Sequence, residues 1–254
     1  MERDITTVKK PVIHAYFLCY NEATILPHLI KHYLSFCDKV CILDNFSTDN
    51  SVQIVNSFKN TEVLSYNSGN ELRDDIYIQV KNTVWKRSVG VADYVIVGDA
   101  DEFLYHKDIQ SYIQKAYQEG VTIFKPKGYH MVGDEDLDLG KNDNIFEKVT
   151  KGVKTDVLNK MMMFDCNKIK DINYSFGCHM ANPVGEVKLL DDGELKMCHY
   201  KFLGMNDHLY KNNIRRQRLS EFNKQYGLGT YYLFTDDQAR EDYRGYLNKR
   251  ENVI

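Results

Sequence analysis

The sequence predicts an α/β fold: a mostly parallel central sheet flanked by helices, with a helical C-terminal extension. Three observations predict it. Apolar runs and amphipathic segments alternate roughly every 20–30 residues through the first half, the pattern of βαβ units. Three of those runs end in polar clusters, where parallel sheets present ligand sites. The tail from residue 206 is helical in pattern and rich in basic residues.

Each element follows from local pattern. Residues 12–19 form an apolar, aromatic run that reads as a buried strand. Asn21 suits a helix N-cap. Ile25, Leu26, Leu29, Ile30, Tyr33 and Leu34 then share one helical face. Residues 39–43 form a second strand ending at Asp44. The polar turn Asn45–Asn50 opens a short helix to about Phe58, and residues 62–66 form a third strand. Residues 72–89 read as a helix, with Ile76, Val80 and Val84 at four-residue steps. A fourth strand over 94–97 runs into Gly98-Asp99-Ala100-Asp101-Glu102. Ile109, Tyr112, Ile113, Ala116 and Tyr117 mark another helix, stopped by Gly120.

The second half is less regular. Residues 121–125 look like a strand, and 128–144 read as a long polar loop. Short strands are expected near 160–165, 184–189 and 195–200, and two helices after 206. The first of these carries Lys211, Arg215, Arg216, Arg218 and Lys224. Only 4 prolines and no Gly/Ser linker occur, so no flexible hinge is expected. The expected organisation is a main domain over 1–204 with the extension 205–254 packed on it.

Composition bounds the function. The 254 residues suit one large domain. Hydrophobic residues at 43% and charged residues at 27% exclude general disorder. With 33 Lys+Arg against 36 Asp+Glu, the net charge of −3 argues against a nucleic-acid partner. No apolar run approaches the roughly 18–20 residues of a membrane span. Met1-Glu2-Arg3-Asp4 leads toward the first strand without a signal-peptide core. The six cysteines contain no CxxC, so buried free thiols in a reducing, cytoplasmic setting are expected.

The strand-end clusters carry the chemistry. Asp99 and Asp101 are alternate carboxylates after a strongly apolar strand, a fit for Mg²⁺ or Mn²⁺ beside phosphate oxygens. The competing reading is a solvated turn. Asp44 can accept from a base N–H or a ribose hydroxyl, or it can cap its turn. Arg73 can face a phosphate or form a surface ion pair. Trp85 is expected in the core. His179 and His199 follow short apolar segments, and neither sits in an HxxxH or HExxH pair. Neither GxGxxG nor GxxxxGK[ST] is present, which removes the usual phosphate cradles.

At this point the residues resemble bacterial family 2 glycosyltransferases of the GT-A fold, specifically capsule and lipopolysaccharide-type enzymes. The likeness rests on Phe17–Glu22 with Val40–Asp49, on Ala92–Phe103, and on Gly177-Cys178-His179, Cys198–Lys201 and Arg215–Tyr232. It implies a UDP- or GDP-sugar donor, a glycan or lipid-linked acceptor, a divalent metal and inverting transfer. Asn21, Glu22, Asp44, Asn45, Arg73, Lys81, Asp99, Asp101, Arg215 and Arg218 become donor-site candidates. Asp99, Asp101 and His199 become metal ligands. Glu135, Asp134 and His179 are candidate catalytic bases, with Glu102 as a rival. A sugar-1-phosphate nucleotidyltransferase is the first alternative, disfavoured because Tyr20-Asn21-Glu22-Ala23 is neither Gly-rich nor basic. A non-catalytic nucleotide- or glycan-binding module is the second. The basic tail helix admits closure over a diphosphate or contact with an anionic membrane. The oligomeric state is left open.

Overall fold

The computed structural model describes residues 9–254; Met1-Glu2-Arg3-Asp4 lies outside them. β1 (Ile13–Cys19) leads through α1 (Leu26–Leu34) to β2 (Lys39–Asp44), α2 (Ser51–Asn56) and β3 (Thr61–Ser65). α3 (Asp74–Thr83) continues as a 3-10 turn over Val84–Ser88 and returns to β4 (Tyr94–Asp99). Next come β5 (Glu102–Tyr105), α4 (Ile109–Gln118), β6 (Ile123–Phe124), β7 (Lys127–Val132), α5 (Ile145–Lys148) and β8 (Lys151–Lys154). The short strands β9 (Met163–Asp165), β10 (Ile169–Asp171), β11 (Val184–Gly185) and β12 (Leu189–Leu190) precede β13 (Lys196–Phe202). α6 (Met205–Arg218), α7 (Glu221–Gln225), α8 (Asp236–Lys249) and β14 (Glu251–Asn252) finish the chain.

The central sheet has seven strands in the order β12-β6-β9-β4-β1-β2-β3. Its β4-β1-β2-β3 half is parallel, and β9 is inserted antiparallel between β4 and β6. Strand alternation divides the core into two layers. Ile13, Ala15 and Phe17 of β1 join Tyr94 and Ile96 of β4 on one face. Tyr16 and Leu18 join Val95, Val97 and Trp85 on the other. That is the pattern of a sheet buried on both sides. Trp85 is core, as expected, at 1% exposure.

Several local expectations are corrected. Asn21 is not a helix cap: it adopts φ +53, and its side-chain oxygen accepts from Thr48 N at 2.7 Å. The chain turns at Glu22, whose carbonyl accepts from Ile25 and Leu26, and α1 starts with Pro27 in its first turn. The helix expected over 72–89 tightens after Thr83, whose hydroxyl bonds back to Gln79 O at 2.7 Å. The expected loop 128–144 begins as a strand, because β7 pairs with β13 and β8. Glu102–Tyr105 is also a strand, on the other side of β13. These strands form a second, five-stranded sheet, β14-β8-β7-β13-β5. The tail holds three α-helices rather than two.

The pairings align the strand ends. Cys19 is opposite Asp44 and Leu18 is opposite Asp99. In the second sheet His199 sits between Glu102 and His130. Tyr200 N donates to Asp101 O at 2.8 Å, which stitches β13 to the end of β4.

Candidate active site

Four carboxylates and four cations meet beyond the carboxyl ends of β1 and β4. Lys81 of α3 reaches Asp99 at 2.7 Å, and Lys160 reaches Glu102 at 2.6 Å. Lys211 of α6 reaches Glu22 at 2.8 Å. Arg215, one turn on, lies 3.5 Å from both Glu22 and Asp101. Asp101, Glu102, Lys81, Lys160 and Lys211 are all buried. Charges this deep persist only when each is compensated, and here each acid faces a Lys or Arg.

Burial alone would raise the Asp101 carboxyl, but His199, Arg215 and Lys211 outweigh it and hold it far below the usual carboxylate range. Burial acts likewise on Glu102, and Lys160 and Lys81 bring it down. Glu22 goes the other way: burial raises it, and Lys211 and Arg215 offset only part. His199 presents Nε2 to Asp101 Oδ2 at 3.3 Å, and its Nδ1 lies 3.2 Å from His130 Nδ1.

The expected metal set of Asp99, Asp101 and His199 is brought together in part. Asp101 and His199 converge, whereas Asp99 is directed to Lys81. Among the described residues no three His, Cys, Asp or Glu side chains group as a metal cage. The donor set still fits the implied ion. An ionised carboxylate and a ring nitrogen from two sheets are ligands that Mn²⁺ accepts, and Arg215 is held at long distances.

The other donor-site candidates divide. Asp44 is buried and caps its own turn, both oxygens lying 3.2 Å from Ser47 N. The Asn45 amide meets the Ser68 hydroxyl at 2.7 Å and lies against Arg218. Arg218 stacks on Tyr20, its guanidinium carbon 3.3 Å from the ring centre. Asn21 holds the 48–49 loop. Arg73 stands apart: Asp75 takes it at 2.6 Å, and its other neighbour is the Phe222 ring.

The base candidates also separate. Asp134 pairs with Arg250 at 2.5 Å and Glu135 with Arg244 at 2.9 Å, away from the acid cluster. Their loop is anchored by α8, a contact that local pattern does not register. Glu102 is buried under Lys160 and closed to an acceptor. His179 is exposed, and its Nδ1 lies 2.8 Å from Val157 O. Burial lowers its pKa first, then the nearby Lys160 charge, while Glu102 and Asp99 act in the opposite sense. Gly177, at φ +69, makes room for it; a Cβ there would be 2.7 Å from the imidazole.

Lys160, Lys211 and His130 are site residues that pattern reading missed. Lys211 had a signal, since Asp207, Lys211 and Arg215 recur at four-residue steps on one helical face. Lys160 is a lone charge before Met161-Met162-Met163, and His130 lay in the supposed loop.

The family model described as Glycosyl transferase family 2 matches residues 17–181. The chain belongs to glycosyl transferase family 2. The match spans β1 to the His179 turn, so it covers Glu22, Asp44, Asp99 and Asp101 but not His199 or α6. Among solved structures, this family 2 transferase is similar to mannosyl-3-phosphoglycerate synthase from Rubrobacter xylanophilus, at 18% identity and TM-score 0.35. That match covers 47% of this chain and 41% of the synthase. It is similar to glucosyl-3-phosphoglycerate synthase from Mycobacterium tuberculosis, solved with Mn²⁺, uridine diphosphate and glucosyl-3-phosphoglycerate. There the identity is 17% and the TM-score 0.33, over 46% of this chain and 44% of that one. It is also similar to S. aureus TarS 1-349, at 14% identity and TM-score 0.43, covering 87% of this chain and 73% of that one. The chain thus spans less than half the length of the two synthases. No curated protein matches it.

Proposed function

We propose that this family 2 transferase moves a glycosyl group from a UDP- or GDP-sugar to a hydroxyl of a glycan or lipid-linked acceptor, with inversion at the anomeric carbon. The observation that carries the reading is the meeting of Asp101, His199 and Arg215 at the end of β4. Asp101 and His199 would hold Mn²⁺ or Mg²⁺, which when bound neutralises a diphosphate leaving group. Arg215 keeps about a fifth of its side chain exposed and holds its acids only at 3.5 Å, so its guanidinium would turn to phosphate oxygens at little cost. Asp44 and Asn45, at the end of β2, would lie toward the ribose or base, as strand-end acids do in dinucleotide sites. Asp99, partly exposed and paired with Lys81, would stand beside the bound donor.

His179 is the base this reading favours. A carbonyl can only accept, so Nδ1–H donates to Val157 O and Nε2 keeps its lone pair for an acceptor proton. Burial and the nearby Lys160 charge lower the His179 pKa, a shift that favours the neutral ring a base needs. Asp134 and Glu135 are engaged by arginines, which leaves them less suited to the role.

We place the enzyme in the cytoplasm; six buried free thiols support a reducing compartment. No helix among the described residues is long and apolar enough to cross a membrane. Membrane contact through α6 has less support, because Lys211 and Arg218 are buried and Arg216 pairs with Asp236.

The test is a thermal-shift screen of UDP-, GDP-, CMP- and dTDP-sugars with Mn²⁺, followed by turnover of the stabilising donor. One donor should raise the melting temperature by mass action. Asp101→Ala should then lose turnover by at least about 100-fold. Full activity of that variant in EDTA would sink the metal assignment, and silence across every donor would sink the transferase reading.

A further inference from the structure

We propose that His130 is the positioning residue that sets the tautomer and aim of His199. The proposal rests on the metal-binding reading of Asp101 and His199. His130 on β7 and His199 on β13 are register partners in a parallel pair, so their side chains leave the sheet on the same face. Their ring centres lie 5.1 Å apart and their Nδ1 atoms 3.2 Å apart. Two ring nitrogens at that distance need one proton between them.

The other side of His199 decides who owns that proton. Its Nε2 points at Asp101, and a nitrogen that ligates a cation must present a lone pair. The ring then carries its proton on Nδ1 and donates it to His130 Nδ1, while His130 carries its own proton on Nε2. Among the described residues no other group bonds His199 Nδ1. His130 is held for this by the edges of the Phe202 and Tyr246 rings, at 6.2 and 5.4 Å between centres. Without an acceptor at this point the Nδ1–H would face apolar rings. His199 would then favour the tautomer that withdraws its lone pair from the Asp101 side. This is outer-shell control of a ligand imidazole, built from a neighbouring strand.

The experiment is a Mn²⁺ titration, read by electron paramagnetic resonance of the free ion, on the wild type, H130F, H130N and H208F. H130F should bind Mn²⁺ some 10–100-fold more weakly. H130N retains an acceptor oxygen near the Nδ1 position and should stay within about threefold. H208F controls for packing, since His208 also lies against Phe202 without touching His199, and it should bind as wild type. ¹⁵N spectra of the Mg²⁺-loaded wild type should show His199 protonated on Nδ1, a readout that packing alone would not move. Wild-type affinity in H130F, equal losses in H130F and H130N, or a proton on His199 Nε2 with Mg²⁺ bound would each overturn the role of His130. If the wild type takes up no Mn²⁺ at millimolar concentration, the metal reading falls and takes this proposal with it.

Discussion

Glu22 shows what a single residue commits the protein to. Its carboxyl is buried against Lys211, with Arg215 behind. Lys211→Met should cost roughly 3–5 kcal/mol in denaturant unfolding, because it strands a buried acid. A loss under about 1 kcal/mol would mean that Arg215 suffices to balance Glu22. His32 makes a pH prediction. Its Nε2 lies 2.7 Å from Leu104 O, and burial pushes the ring down to about 4. The unfolded ring titrates near 6.5. Between those values the unfolded chain binds more protons, so stability falls as the pH drops through that window, by up to roughly 3 kcal/mol. His208, also pushed down to about 4 by burial, acts in the same sense. His32→Gln keeps a donor for Leu104 and should flatten the profile of unfolding midpoint against pH. An unchanged slope would refute the assignment. At this scale the sequence pointed to Asp99, Asp101, Arg215 and His199 as candidates. His199 and Arg215 each reach Asp101, while Asp99 meets Lys81. It was silent on Lys160 and His130, whose roles depend on strand neighbours distant in the chain.

Elements differ in how far local pattern determines them. β1, β2 and β4 are continuous apolar runs, and each lies within about two residues of its expected place, because a strand buried on both faces writes its own signal. β7 is the opposite case. Lys127-Gly-Tyr-His-Met-Val has little apolar alternation and becomes a strand through pairing with β13 and β8. Gly128 belongs to that pairing: a Cβ there would stand 2.3 Å from Leu158 Cβ and 2.4 Å from its backbone carbon. Gly128→Ala should therefore destabilise by roughly 1–3 kcal/mol through overpacking. Because β7 carries His130, the same change should weaken Mn²⁺ uptake, whereas Gly245→Ala, with open space around it, should do neither. Equal stability of the two variants would show that Leu158 can yield. For α6, the basic sequence was read as a face for a diphosphate or an anionic membrane, yet Lys211 and Arg218 are buried. Charge composition says nothing about which way a helix is turned.

At the scale of the whole molecule, the expected boundary near residue 204 becomes a prediction about cooperativity. Leu72 and Leu219 form a bridge, β14 pairs with β8, and the Tyr243 hydroxyl accepts from Gly204 N. Val253 sits in the main core. We expect one unfolding transition for the full chain, and a 1–204 fragment that is collapsed but not cooperatively folded. A sharp calorimetric transition in that fragment would show that the extension is dispensable. By itself the sequence determined the parallel half of the central sheet, the strand-end acids and the family, since each is written in contiguous residues whose burial or turn chemistry is local. Only the tertiary structure decided the second sheet, the cation assigned to each acid, the inward turn of α6 and the His130–His199 contact. Those depend on pairings between segments tens of residues or more apart, and the free energy that selects them comes from long-range register and desolvation of charge, which no local window contains.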